Sequence, residues 1–185
     1  EELRALIRPG NIDVNIMTKC DRINYDRNGE PLPAEFADAM AALRGFANSA
    51  LESAVIFSAG MNPRLYSYCE SFPDFLPDAS GLIRKKIILK VSDFRSALIQ
   101  GKFLAKRGLW VSEFRVESGL NCGGHAFPTD GYLLGPILEE FRSRRHELIT
   151  ELETLYLSAL KGRQLPLPLE IPSIRITAQG GIGTF

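Results

Sequence analysis

Two stretches of this chain combine residue types that can do chemistry. The first is Glu117-Ser-Gly-Leu-Asn-Cys-Gly-Gly-His-Ala-Phe127, and the second, further downstream, is Thr177-Ala-Gln-Gly-Gly-Ile-Gly-Thr184. Each follows an apolar run that reads as a buried strand, and each sets glycines where that strand ends. Glycine lets backbone approach a ligand closely or take up positive φ. Histidine titrates near neutral pH and suits proton transfer. Strand ends that carry glycine and a polar group are where parallel α/β proteins carry out their chemistry. Together the stretches point to a phosphate-bearing cofactor with a proton carrier, His125, close by. Gly123 and Gly124 would let the backbone meet the ligand, and Gly180 and Gly181 would turn N–H groups toward a phosphate. The plainer alternative for each is a tight turn, with His125 exposed or capping. The second stretch lacks the Lys-Ser/Thr of a Walker A loop and the spacing of a GxGxxG turn. Cys122 is a weak candidate nucleophile, because the only other histidine, His146, sits among charges and reads as solvated surface.

Other strand ends also carry polar or small residues: Asn15, Thr18 and Lys19, then Ser58 and Gly60, then Lys90 and Ser92, then Glu113 and Glu117. Any one of them suits a structural role, but as a set they fit one concave rim. Lys90 would place positive charge beside an anionic ring or phosphate, or would pair with a neighbouring carboxylate. Tyr66, Tyr68, Phe72 and Phe75 fall in an irregular stretch and read as a packed loop or the lining of a substrate mouth.

The elements that must position these residues follow from periodicity. Five apolar runs predict strands over 12–17, 54–58, 86–91, 109–116 and 173–178. Those at 54, 86 and 173 are nearly continuous in Val, Ile, Leu and Ala, which implies burial on both faces, as in parallel sheets. Helical spacing predicts helices over 34–52 and 93–107. Pro33 stands near the start of the first, Ser92 or Asp93 caps the second, and Gly108 ends it. A long helix is expected over 132–160, with a solvated, ion-paired face over 142–153. Residues 59–85, with Pro63, Pro73, Pro77 and Gly81, are expected to be irregular. Alternating strands and helices imply parallel strands with right-handed crossovers. A doubly wound sheet and a β/α barrel both satisfy that pattern.

The chain has 185 residues, with 22 Lys plus Arg against 22 Asp plus Glu, so no net field recruits nucleic acid or an anionic membrane. No apolar run approaches the length of a membrane span, and no signal peptide is evident. Three cysteines without metal spacing suit a reducing cytoplasm, so a soluble cytoplasmic protein acting on a small molecule, with no metal, is expected. Both ends read as cut from a longer chain. A partial domain would expose strand edges, so poor solubility is expected.

Taken in order, five segments resemble the nitronate monooxygenase family (the 2-nitropropane dioxygenases), which includes the flavin-dependent enoyl-acyl-carrier-protein reductases. Val116-Glu117 with Cys122-Gly-Gly-His125 resembles the family's Val-Glu/Gln-Gly…Ala-Gly-Gly-His signature. Lys90 to Ala97 through Gly108 resembles its strand, Ser/Thr and alanine-bearing helix. Ile171 to Ile182 is similar to its Pro-Val…Ala-Gly-Gly-Ile strand, Val14-Asn15-Ile16 to its Val-Asn-Leu strand, and Ser58-Ala-Gly60 to its Ser-x-Gly strand end.

The resemblance implies an FMN-binding TIM barrel, of which residues 1–185 would be a single partial domain holding strands three to seven of eight. It implies that Gly180 and Gly181 grip the FMN phosphate, that Gly123 and Gly124 lie beside the flavin, and that His125 faces the substrate as base or proton donor. Asn15 and Glu117 inherit contacts to the flavin or its ribityl chain. The implied activity is an FMN-dependent oxidoreductase of the monooxygenase type, or an enoyl reductase that takes electrons from NAD(P)H. Two further readings are a phosphate-ligand isomerase or lyase without flavin and an inactive barrel that only binds. The departures are Asn121-Cys122 before the glycine pair, a helical insertion around 142–169, and the irregular segment over 63–81. They mark a divergent branch whose substrate does not carry over.

Overall fold

The computed structural model describes residues 10–58, 60–117 and 134–179. Within them, five strands form one parallel sheet: β1 (Val14–Met17), β2 (Ala54–Ser58), β3 (Lys86–Val91), β4 (Val111–Glu117) and β5 (Arg175–Gln179). They lie side by side in chain order, and every neighbouring pair is parallel. The α/β architecture and parallel sheet are those expected from the sequence, and β2 and β3 have the expected bounds.

Among the described residues, five α-helices accompany the strands: α1 (Asp38–Ala47), α2 (Pro63–Tyr68), α3 (Phe94–Ala105), α4 (Leu134–Ser143) and α5 (Arg145–Gly162). Their buried residues merge with one side of the sheet into a single core. Leu43, Leu65, Phe94, Leu104, Phe141 and Leu152 meet Val55, Phe57, Ile87, Leu89, Phe114 and Val116 there. On the opposite side only a small apolar cluster, Ala54, Ile56 and Ile88, is found among the described residues. One side of the sheet is therefore dry and covered by helices, while the other carries the polar members of each strand.

A bulge sets this division on β4. Ile87 faces Val111, but the next residue, Ile88, faces Glu113, so Ser112 is an extra residue in the ladder. Side chains alternate across a strand, so without the extra residue Val111 and Glu113 would share a side. With it, Val111 joins the core while Glu113 turns to the polar side. The Ser112 hydroxyl donates to the Ile87 carbonyl at 2.9 Å, holding the bulge.

Local chemistry explains where the helices start and stop. Residues 34–36 form a 3-10 turn before α1, and α1 stops at Ala47, short of the expected Glu52. There Asn48 Nδ2 donates to Arg44 O and Ser49 Oγ to Phe46 O, so side chains take carbonyls that another turn would need. Lys85 is buried and donates to Ser49 O at 2.9 Å and Leu51 O at 2.6 Å, which ties this loop to the start of β3. The stretch expected to be irregular holds α2, whose Asn62 cap accepts from Leu65 N at 3.0 Å ahead of Pro63. Asp93 caps α3, accepting from Ser96 N at 2.6 Å, and Gly108, at φ +72°, follows its end. The long helix expected over 132–160 is divided at Arg144, whose backbone (φ −106°, ψ 12°) separates α4 from α5. Arg144 grips Glu140 and Glu147 and lies over the Phe94 ring, while Glu151 pairs with Lys102 of α3. His146 is exposed, as expected.

α5 contributes more than a charged face. Leu148, Leu152, Tyr156 and Leu160 are buried along one stripe, and the Tyr156 and Trp110 rings lie 4.9 Å apart. Gly101 allows α3 to approach this stripe. A Cβ there would lie 3.0 Å from both Leu152 methyls and from Phe114 Cζ. Gly101→Val is therefore expected to destabilise the fold by about 1–3 kcal/mol through overpacking, read as a lower urea midpoint with unchanged circular dichroism. An unchanged midpoint would contradict the close α3–α5 approach.

Candidate functional site

The carboxyl ends of parallel strands gather at one rim. There the loops after β1 and β2 are stitched together. Thr18 Oγ1 donates to Ser58 O at 3.0 Å and to Gly60 O at 2.9 Å, and Asn62 Nδ2 donates to Thr18 O and Asp21 Oδ2, each at 2.9 Å. One strand position earlier, Ser58 Oγ donates to Asn15 Oδ1 at 2.8 Å, which orients the Asn15 amide on the helix-free side. Ser92 donates to Asp93 Oδ2 at 2.7 Å, so it supports the α3 cap.

Lys90 and Glu117 meet across β3 and β4. Lys90 Nζ lies 2.8 Å from Glu117 Oε2, with side chains 12% and 17% exposed. Of the two roles expected for Lys90, pairing with a carboxylate is observed, and an ammonium keeps two further donors when one is used.

A second charged group lies deeper. The Glu113 carboxylate, 3% exposed, accepts from Arg115 Nε at 2.9 Å and Thr177 Oγ1 at 2.7 Å, and Arg175 approaches it at 2.9 Å. Burial alone would favour the neutral acid. The hydrogen bonds from Thr177 and Arg115 and the charges of Arg115 and Arg175 outweigh it and hold the carboxyl below its usual range. Thr177 and Arg175 belong to β5, so this carboxylate also ties β4 to the sheet's last described strand.

Asn15, Lys90 and Glu117 thus share the helix-free side, and Lys90 and Glu117 touch. His125, Gly123, Gly124, Gly180, Gly181 and Cys122 lie outside the described residues. Sequence reasoning placed Glu113 at a strand end but missed Arg115, Arg175 and Thr177 as its partners. The available signal was the Glu113, Arg115, Glu117 alternation in β4, which marks one polar side of a strand. The aromatic residues of 66–75 are packed instead of lining a mouth. Tyr66 is fully buried against Phe57 and donates to Gln100 Oε1 at 2.6 Å, and burial pushes its phenol up. Phe75 is buried beside Phe46, and Tyr68 stacks edge-on with Phe72. An open cleft of about 290 Å³ lies between Gly60 and the start of α3. A second, of about 480 Å³, lies near Glu70, Asp74 and Arg84, toward the amino end of β3.

Among the described residues, no group of three or more His, Cys, Asp and Glu could hold a metal ion. No described helix is long and apolar enough to cross a membrane. No protein-family model and no curated protein matches the chain.

A carboxyl held below its usual range adds stability that is present above the unfolded value and lost as pH falls through the folded one. Glu113→Gln is therefore expected to cost about 1–3 kcal/mol at pH 7. The gap to the native protein should shrink as pH falls below about 4.5, the ordinary value for this group. Thermal melts across that range check it, and a gap independent of pH would exclude the ionised carboxylate as its source.

Proposed function

We propose that this chain is part of a TIM barrel that binds FMN and acts as an FMN-dependent oxidoreductase. The observation that carries the reading is one polar side of a parallel sheet, with Lys90 and Glu117 joined on it directly upstream of the Gly-Gly-His stretch. Two features of the fold support the barrel. The described strands run in chain order without the reversal that marks the switch point of a doubly wound sheet. Their helices gather on one side, as around a barrel wall.

The residues fit the cofactor. Lys90 offers cationic donors, Glu117 an acceptor and Asn15 an amide, a mixed set suited to a ring edge that both gives and takes hydrogen bonds. In this reading Gly180 and Gly181, which directly follow β5 in sequence, would hold the phosphate through backbone N–H groups. Gly123 and Gly124 would let the chain pass close to the ring. His125 would take a proton from the substrate or return one to it. The flavin supplies the electron exchange, and the chain supplies binding, orientation and proton handling.

The direct test is an absorbance scan of the protein purified without added cofactor, followed by heat release. Bands at about 370 and 450 nm, with FMN in the supernatant, are expected of a flavoprotein. A colourless protein that also fails to take up added FMN would overturn the proposal. If flavin is present, His125→Ala should retain it while turnover falls by roughly 10²–10⁴. Bleaching by NAD(P)H without oxygen would assign the enoyl-reductase type, and its absence the monooxygenase type.

A further inference from the structure

We propose that the patch of the helix-free side around Arg115, with Lys90 opposite it on β3 and Arg175 on the neighbouring Glu113 rung, binds the oxyanion of a small ligand, a carboxylate or a phosphate. Arg115 stands directly opposite Lys90 on β3 and Thr177 on β5. Like charges placed opposite one another in a sheet are destabilising, and here two cations face each other beside an apolar patch. Each is compensated from its own direction, Lys90 by Glu117 and Arg115 by Glu113. Arg175 draws on the same Glu113 carboxylate. Among the described residues three cations therefore share two carboxylates, one positive charge in excess on this part of the sheet.

The geometry favours a ligand over a closed internal network. Glu113 is nearly inaccessible, whereas the Arg175 side chain is 67% exposed and that of Arg115 24%. The carboxylate thus acts as a floor that holds two guanidinium groups from below while they remain open to solvent. A guanidinium is planar, stays charged and presents five donors in a fork that matches the two oxygens of a carboxylate or phosphate. A surface ion pair with no further role would contribute little, and would not need a buried acid, two arginines and a threonine on adjacent strands. Lys90 and Arg115 stand within two residues of the carboxyl ends of β3 and β4, the end at which parallel sheets hold their ligands, while Arg175 opens β5 opposite Glu113. The site shares Lys90 with the flavin reading, but Arg115, Arg175, Glu113 and Thr177, which carry it, have no part in that reading.

The test uses the full chain at pH 7, melted in sodium phosphate, sodium acetate or sodium chloride at matched ionic strength. Phosphate or acetate, or both, should raise Tm by a few degrees (about 2–5 °C) over chloride at concentrations well above Kd. A response to acetate alone marks a carboxylate ligand, a response to phosphate alone a phosphate ligand, and a response to both a site that accepts either. Arg115→Gln should abolish the difference, and Arg115→Lys, which keeps the charge but loses the fork, should weaken it. Equal melting in all three salts overturns the proposal, as does an oxyanion effect that survives Arg115→Gln. Should Arg115→Gln fail to fold, Arg175→Gln decides: a weaker oxyanion effect supports the site, and an unchanged one overturns it.

Discussion

The bulge at Ser112 is the constraint on which the rest of this site depends. A strand alternates its side chains without exception unless a residue is added, and β4 begins with its apolar residues directed into the core. One extra residue reverses that phase, so Val111 packs among helices while Glu113, Arg115 and Glu117 turn to the other side. A carboxylate directed instead into a core built from Leu, Ile, Phe and Val would be an unpaired buried charge, among the costliest arrangements a protein can hold. The bulge converts that liability into an ordered polar row.

Once turned, Glu113 organises its neighbours. It is buried enough to be costly alone, and Arg115, Thr177 and Arg175 together compensate it. Two of those partners come from β5, so the electrostatic solution also positions the last described strand. Nearer the rim, Lys90 and Glu117 repeat the arrangement with less burial, and Asn15 is oriented by Ser58. The helices on the opposite side, tightened where Gly101 admits Leu152 and Phe114, give this polar side a rigid backing. A chemical site gains from such rigidity, because polar groups held in place lose little freedom when a ligand arrives.

Much of this fold is written in short-range patterns. Continuous runs of Val, Ile and Leu marked β2 and β3, and a capping aspartate and a terminal glycine framed α3, because these signals act within a few residues of where they are read. The differences arise where two local signals compete. Prolines at 63, 73 and 77 suggested irregular chain, yet Asn62 and Pro63 form a sound helix start. The periodicity of 34–52 continued past Ala47, but Asn48 and Ser49 spend their side chains on the last carbonyls and end the helix. The apolar stripe that runs through 134–160 hid a break, because Arg144 preserves the spacing while its backbone leaves the helical region.

By itself, then, the sequence determined the class of the fold, the strands and their parallel sense. It also determined that Asn15, Lys90 and Glu117 stand near strand ends, since periodicity, caps and continuous apolar runs are properties of neighbours along the chain. Only the tertiary structure decided that Lys90 spends its charge on Glu117 and that Glu113 recruits Arg115, Arg175 and Thr177. It alone placed a bulge at Ser112 to sort them from the core. Those outcomes depend on register between strands far apart in sequence, and register is settled by packing across the whole sheet.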